Sequence, residues 1–93
     1  MRFEWDPHKA EANLGKHGVG FPEAATVLED DFALTREDPD ALGEQRLVTL
    51  GLSGLGNLLV VVFTLRDDPG VLRIISAWPA NRRQRTQYEE SRR

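Results

Sequence analysis

The second half of the chain carries the hydrophobic pattern of β-strands. Three runs rich in β-branched residues, "QRLVTLGL", "LLVVVFTLR" and "VLRIISAW", are separated by the turn-forming segments "SGLGN" and "DDPG". Because connections this short join antiparallel neighbours, the pattern predicts a three-stranded antiparallel meander.

The first half predicts two helices between two shorter strands, "MRFEW" and "FALTRE". Asp6 and Pro7 are typical of the start of a helix and Gly18 of its end, and "FPEAATVLEDD" predicts a second helix that also begins near a proline. After the loop "DPDALG" and the meander, "ANRRQRTQYEESRR" predicts a polar C-terminal helix that Asn81 begins. The order βααββββα indicates an α+β fold, with one domain over residues 1–93.

The two turn segments also predict how the three strands of the meander are aligned. If "SGLGN" is a five-residue loop and "DDPG" a four-residue loop, Leu52 faces Leu58 and Arg66 faces Val71. Counting along the strands then brings three residues into one row, with Arg66 diagonal to the last of them: Arg46, Thr64 and Arg73.

The same alternation divides the predicted sheet into two faces. The face that carries the arginines is expected to continue into apolar residues, namely Val48, Leu50, Val60, Val62, Ile75 and Ala77. The opposite face is expected to support the two N-terminal helices through Leu47, Leu59, Val61, Phe63, Leu65, Leu72 and Ile74.

Composition limits the classes of function. The chain has 93 residues, a net charge of −3 and no cysteine, so disulfides and thiolate metal sites are excluded and a protein that coats nucleic acid nonspecifically is disfavoured. No apolar run approaches the roughly 20 residues of a membrane span, and the first residues do not resemble a signal peptide. We therefore expect a cytoplasmic protein that does not bind membranes.

Three arginines on adjacent strands indicate a site for an anion, because guanidinium groups repel one another unless an anion lies among them. A guanidinium donates two parallel hydrogen bonds to phosphate and stays charged. RNA supplies its own nucleophile, the 2′-hydroxyl, so such a site needs no metal ion, and neither His8 nor His17 has ligand spacing with the acids. The alternative is that each arginine pairs with a nearby acid such as Glu37, Asp38 or Glu44.

Lys16 and His17 admit two interpretations. Cations in the last turn of a helix interact favourably with its dipole, which explains the pair structurally. An imidazole can transfer protons and Lys16 can reach a phosphate, so the pair also qualifies as part of a site. Trp78 has the same two interpretations, as a core or rim aromatic residue or as a stacking platform for an RNA base beside the basic C-terminal segment.

Four segments carry a resemblance to a known family: "FEWDPHKAEANLGKHGVGFPEAATVLED", "GEQRLVTLG", "LVVVFTLR" and "RIISAW" with "RRQRTQYE". The first is the most specific, because it holds the pattern W-D-x-x-K-x-x-x-N-x-x-K-H-G-V-x-F-x-E-A with few gaps. In these segments, which span almost the whole chain, the sequence resembles the BrnT toxins, RelE-like members of type II toxin–antitoxin systems.

The resemblance implies a RelE-like sheet and a metal-independent endoribonuclease that inhibits translation, with no cofactor. It implies a BrnA-like antitoxin with a ribbon-helix-helix region, through which the complex binds promoter DNA. The family's basic positions fall on residues that the resemblance marks as catalytic: Lys16, His17, Arg46, Arg66 and Arg73. Arg46 and Arg73 would hold the phosphate, Arg66 would stabilise charge on the leaving side, and Lys16 or His17 would transfer protons.

One departure from the family pattern leaves two hypotheses for the function of the chain. Family members commonly read "RIISAR" followed by a cation, whereas this chain reads "RIISAWPA", so Trp78 and Pro79 replace two basic residues. Arg82 or Arg83 would compensate by binding RNA from the start of the last helix. The alternative function is a catalytically degenerate binding module that acts with its antitoxin as a transcriptional autoregulator.

Overall fold

The computed structural model describes residues 1–41 and 45–92, and its elements confirm the α+β class and the predicted order. They are β1 (Arg2–Glu4), α1 (Pro7–His17), α2 (Phe21–Val27), β2 (Leu34–Glu37), β3 (Arg46–Leu52), β4 (Leu58–Leu65), β5 (Val71–Pro79) and α3 (Arg82–Ser91). The loop predicted at "DPDALG" lies partly outside the described residues, and Glu44 and Arg93 lie wholly outside them.

The ends of α1 follow from the residues that flank it. The side chain of Asp6 accepts a hydrogen bond from the backbone N–H of His8 at 2.8 Å, and Pro7 occupies the first turn, where no N–H is needed. At the other end Gly18 takes a left-handed conformation (φ 72°) and donates its N–H to the carbonyl of Leu14 at 2.9 Å. The predicted start and end of this helix are confirmed.

The second helix is shorter than predicted. It ends at Val27 instead of continuing through "LEDD", because the carboxylate of Asp30 accepts the backbone N–H groups of Phe32 (3.0 Å) and Leu52 (2.9 Å). An aspartate that binds nearby backbone N–H groups stabilises a turn in place of another helical turn.

The five strands form one sheet in the order β1-β5-β4-β3-β2. Strands β3, β4 and β5 make the predicted antiparallel meander, and its register is confirmed, with Leu52 opposite Leu58, Arg46 opposite Thr64 and Thr64 opposite Arg73. Strand β1 pairs in parallel with the start of β5. We call the face that carries Arg46, Arg66 and Arg73 the arginine face and the other the helix face.

A β-bulge in β5 changes the faces beyond Arg73. Phe63 pairs with Ile74 while Val62 pairs with Ser76, so Ile75 is an extra residue on β5. The alternation is shifted by one from that point, and the predicted placement of Ala77 on the arginine face is wrong. Ile75 is the bulged residue itself, and its predicted face stays a prediction. Ala77 is fully buried on the helix face, and Trp78 lies on the arginine face instead.

Helices α1 and α2 pack on the helix face, as predicted. The buried cluster there contains Val19, Phe21, Ala24, Val27, Leu59, Val61, Ile74 and Ala77. Trp5 packs against it, with its ring edge-to-face to Phe21 at 6.0 Å between centroids. The helices leave part of the face open, where Leu47, Phe63, Leu65 and Leu72 line a groove of about 360 Å³.

Asn13 fixes α1 against the outer edge of β5. Its side-chain amide donates to the carbonyl of Ala77 at 2.8 Å and to that of Val19 at 3.1 Å, and its Oδ1 accepts the N–H of Ala77 at 3.1 Å. Asn13 is buried, and through these three bonds it satisfies backbone groups beyond the point where β1 ends.

Helix α3 covers the apolar half of the arginine face. It begins with a capping box between Asn81 and Gln84, which confirms the predicted start. Tyr88 is its buried residue, and it joins a cluster with Leu50, Leu58 and Val60 against which Trp78 packs. Among residues 1–41 and 45–92, no helix is long and apolar enough to cross a membrane.

The hydroxyl of Tyr88 donates a 2.5 Å hydrogen bond to the carboxylate of Asp30 and so ties α3 to the turn after α2. Burial raises the pKa of Tyr88 to about 12, and the bond to Asp30 and the negative charge of Asp30 add to this effect. Burial alone would raise the pKa of Asp30, but hydrogen bonds from Leu52, Tyr88 and Phe32 and the charge of Arg92 outweigh it and lower that pKa.

Candidate phosphate-binding site

The uncovered half of the arginine face brings three of the predicted site residues together. Arg46, Thr64 and Arg73 are lateral neighbours on β3, β4 and β5, and Arg66 follows just after β4, diagonal to Arg73. We call Arg46, Arg66 and Arg73 the arginine cluster. Thr64 between them is buried, whereas the side chain of Arg73 is 34% exposed and that of Arg66 49% exposed. The cluster therefore lies partly out of water but remains open to a ligand.

An anionic side chain, Glu4 of β1, already lies in the arginine cluster. Its Oε1 is 3.2 Å from Nε of Arg66 and 3.3 Å from Nη1 of Arg73. The parallel pairing of β1 with β5 sets Glu4 directly beside Arg73, so the row of lateral neighbours extends across four strands. Arg66 and Arg73 thus pair with an acid of the chain itself, as the alternative to an anion site expects, but the acid is Glu4.

Sequence reasoning missed Glu4. The alternative to an anion site named Glu37, Asp38 and Glu44, but Glu37 accepts a hydrogen bond from Gln45 and Asp38 from the N–H of Asp40, while Glu44 lies outside the described residues. The available signal was the alternation in "RFEW", which gives Glu4 a polar position on a strand. It did not indicate which strand β1 pairs with, and that pairing decides the neighbours of Glu4.

The structure places Lys16 and His17 away from the arginine cluster. His17 ends α1 with its ring 6.0 Å from that of Trp78 between centroids, and Lys16 is exposed. Trp78 is five residues from Arg73, roughly 15 Å along β5. The structural interpretation of the pair is confirmed, because Lys16 and His17 lie in the last turn of α1. Their role in a site stays a prediction, and His17 borders a second polar region on the Trp78 side.

This second region is a pocket of about 290 Å³ between the end of α1, the β3–β4 turn and the start of α3. Its polar side chains come from His17, Glu23, Asn57 and Arg85. Glu23 accepts hydrogen bonds from Ser53 at 2.7 Å and from Asn57 at 2.8 Å, so it is already engaged. Sequence reasoning did not single out Arg85, whose only signal was its place in the basic segment.

Arg82 and Arg83 lie in the first turn of α3 and do not reach that pocket. Both are exposed, and they line an open surface groove along α3 with Thr86, Gln87 and Glu90. Within residues 1–41 and 45–92, no three His, Cys, Asp or Glu side chains form a group that could hold a metal ion. The basic residues considered for a site thus lie mainly in three places, the arginine cluster, the His17 pocket and the α3 groove, whereas Lys16 lines neither the pocket nor the groove.

Comparison with known proteins gives a family match and a structural match that agree with each other. Residues 5–84 match the family model described as the ribonuclease toxin BrnT of type II toxin–antitoxin systems. A search of curated proteins gave no match.

The fold is similar to the crystal structure of the ribonuclease toxin BrnT from Brucella abortus. The TM-score is 0.65 at 24% sequence identity, and the match covers 88% of this chain and 99% of that one. At this identity the likeness establishes the fold.

Proposed function

The chain belongs to the BrnT family of ribonuclease toxins of type II toxin–antitoxin systems, and on this basis we propose that it is a metal-independent endoribonuclease whose arginine cluster holds the scissile phosphate of RNA. The observation that supports this site is the carboxylate of Glu4 between Arg66 and Arg73, 3.2 Å and 3.3 Å from their nitrogens. A phosphate presents oxygens to the same type of donor.

The proposed site stabilises charge where it develops during cleavage. As the 2′-oxygen of RNA approaches phosphorus, negative charge grows on the non-bridging phosphate oxygens, and fixed guanidinium groups in a partly desolvated site stabilise it more strongly than water does. Arg46 and Arg73 hold these oxygens from two sides of Thr64. The resemblance assigned Arg66 to the leaving side, but Arg66 shares the carboxylate of Glu4 with Arg73, so we propose that it neutralises the same phosphate oxygens. The arginines provide the positive charge that other nucleases take from a metal ion.

The rest of the RNA strand is proposed to follow β5 towards α3. Because of the bulge, Ser76 and Trp78 lie on the same face as Arg73. Trp78 and His17 would contact a base, and Arg82 and Arg83 would contact backbone phosphates. In this arrangement Lys16 and His17 bind the strand, since they lie too far along β5 to transfer protons at the arginine cluster.

The test of the phosphate site is Arg73→Ala, assayed for RNA cleavage as purified protein and for growth arrest on induction in a bacterial host. Loss of one charge-assisted donor to a transition state typically lowers the rate about 100- to 1,000-fold, so we expect growth arrest to be lost. Thermal melting identifies any loss of fold.

Arg36→Ala is the matched control for this test. Arg36 lies opposite Val48 on the arginine face, but on the edge strand β2 and exposed, so its removal should leave cleavage unchanged. If an Arg73→Ala protein melts like the parent and cleaves RNA at the parent rate, the arginine cluster is not the phosphate-binding site.

Membership of a type II family implies an antitoxin partner. We propose a BrnA-like antitoxin with a ribbon-helix-helix region, and DNA contact only through that complex, because the chain itself carries a net charge of −3. The expected observation is a neighbouring reading frame that encodes a short basic protein of this type. Its co-expression should restore growth, and a neighbour that forms a complex without restoring growth would contradict the proposal.

A second candidate function, a binding module that represses transcription with its antitoxin, is favoured by Trp78. Its side chain packs against the cluster of Leu50, Leu58 and Val60, so it replaces an expected arginine with an apolar contact. A parent protein that represses transcription together with its antitoxin but neither cleaves RNA nor arrests growth would establish this second function.

A further inference from the structure

Glu4 is positioned to do more than balance the charge of two arginines. It lies beside Arg73 on the arginine face, with its side chain 37% exposed. Both ion pairs are made by one of its oxygens, Oε1, so Oε2 takes neither of them. Each arginine also uses a single nitrogen, Nε of Arg66 and Nη1 of Arg73, and a guanidinium has five N–H donors. The remaining donors are available to a phosphate while Glu4 stays in place.

We propose that Glu4 is the general base of the cleavage reaction, an inference that rests on the proposed function. The 2′-oxygen of RNA forms a bond to phosphorus while its proton passes to the carboxylate of Glu4. The bond from phosphorus to the 5′-oxygen breaks, and the departing oxygen takes a proton from water. The products are a 2′,3′-cyclic phosphate and a 5′-hydroxyl, and charge and atoms balance without an oxidant, a metal or a cofactor.

The groups around the arginine cluster favour Glu4 for this role. Arg66 and Arg73 cannot accept a proton, because guanidinium remains charged in proteins. A second carboxylate nearby, that of Asp68, lies in the turn before β5. It is 3.3 Å from Arg2, and both of these side chains are about 70% exposed. His17 lies at the Trp78 end of β5. Glu4 is thus the described proton acceptor that contacts the arginines proposed to hold the phosphate.

Arg66 and Arg73 contact Glu4 and are also proposed to bind the phosphate. Binding of the RNA phosphate therefore brings the substrate next to the carboxylate of Glu4. General-base catalysis requires the carboxylate within hydrogen-bond reach of the 2′-hydroxyl, and the contacts of Glu4 with Arg66 and Arg73 keep it next to the phosphate position. Such a base typically contributes about 100- to 10,000-fold to the rate. The expected signature is a loss of cleavage without a loss of RNA binding.

The experiment compares Glu4→Gln with the parent in two assays: cleavage of an RNA oligonucleotide, and binding of the same oligonucleotide with a 2′-deoxy nucleotide at the cleavage position. We expect cleavage to fall at least 100-fold, with binding of the uncleavable oligonucleotide within about threefold of the parent. Glu4→Asp keeps a carboxylate at shorter reach and should cleave measurably faster than Glu4→Gln. Asp68→Asn, which removes a carboxylate paired with Arg2, is the matched control and should leave both assays unchanged.

The outcomes separate this inference from the proposed function. If the parent cleaves, Arg73→Ala does not and Glu4→Gln cleaves at the parent rate, the role of Glu4 is overturned and the phosphate site stands. If Glu4→Gln binds RNA more tightly and cleaves it faster than the parent, Glu4 competes with the phosphate for the arginines, and its role as general base is also overturned. If the parent does not cleave at all, both proposals fail. Should Glu4→Gln melt well below the parent, Glu4→Asp decides, since a folded Asp variant without cleavage contradicts the inference.

Discussion

The two halves of the arginine face are built on the same strands but held by different interactions. Under α3, Tyr88 and the apolar side chains of β3 and β4 form a buried cluster, and the Tyr88 hydroxyl is tied to Asp30. In the other half, Glu4 pairs with arginines that are a third to a half exposed. Apolar burial contributes stability roughly in proportion to area, whereas partly exposed ion pairs contribute about 0–1 kcal/mol.

From this difference we expect stability to depend on the covered half of the face and the proposed RNA cleavage on the open half. The covered half is expected to determine the free energy of unfolding and to change little when RNA binds. The open half is expected to contribute little to folding, so its charges remain available to a ligand. Substitutions in the two halves should therefore affect different measurements.

The largest expected effect on stability is that of Tyr88→Ala. Removing a buried aromatic side chain typically costs about 3–5 kcal/mol, and Tyr88 is the buried residue of α3. Arg73→Ala should change the free energy of unfolding by about 1 kcal/mol or less. Denaturant unfolding of both variants measures the contrast, and an equal loss of stability would show that the two halves are not separate.

A smaller, pH-dependent effect is expected for Tyr88→Phe. At neutral pH the lost hydrogen bond to a carboxylate should cost about 1–2 kcal/mol. The pKa of Tyr88 is about 12 in the folded protein against 10.0 when unperturbed, so the neutral form is favoured by folding. This contribution is fully present below pH 10 and is lost as pH rises through 12.

Between pH 10 and pH 12, the free energy of unfolding of the parent should therefore fall by up to about 2–3 kcal/mol more than that of Tyr88→Phe. Unfolding free energies of the two proteins at pH 8, 10 and 11.5 measure this difference. If the two curves fall in parallel over this range, the hydroxyl of Tyr88 does not contribute to the pH dependence.

The smallest effect is expected at the boundary between the halves, from Trp78→Arg. An added cation on the proposed RNA path should make the slope of log K for RNA binding against log salt concentration steeper by about 0.7. Loss of the packing against Leu50, Leu58 and Val60 should cost about 1 kcal/mol of stability, since the stem of arginine replaces part of it. Binding titrations at several salt concentrations test this, and an unchanged slope would mean that RNA does not pass Trp78.

The arginine row was predictable because it depends on local signals. The turn segments between β3, β4 and β5 have defined lengths, and a turn of known length fixes the register of the strands that it joins. Leu52, Leu58, Thr64 and Arg73 therefore fall where counting places them. The helix ends at Asp6, Gly18 and Asn81 were predictable for the same reason, since capping depends on a few adjacent residues.

Three features of the structure could not be predicted, because no local sequence signal specifies them. The bulge at Ile75 adds one residue without a glycine or a break in the apolar pattern, so the alternation gave the wrong face for Ala77. The parallel pairing of β1 with β5 joins Glu4 to Arg73 across 69 positions, and no turn specifies it. Asn13 is a polar residue at a buried helical position, which indicates a hydrogen-bonded role but not its partner.

The hydrogen bonds of Asn13 also affect how this sheet meets other chains. An uncovered edge strand exposes backbone groups that recruit a foreign strand, the first step of strand exchange and of fibril growth. Where β1 ends, the amide of Asn13 engages both the N–H and the carbonyl of Ala77 and takes the position that a longer β1 would occupy beside β5. In the part of the chain that the structure describes, Asn13 thereby closes the exposed stretch of β5, and the edge strands of the sheet are β1 and β2. At β2, Arg36 and Glu37 place charges that disfavour pairing with an uncharged strand.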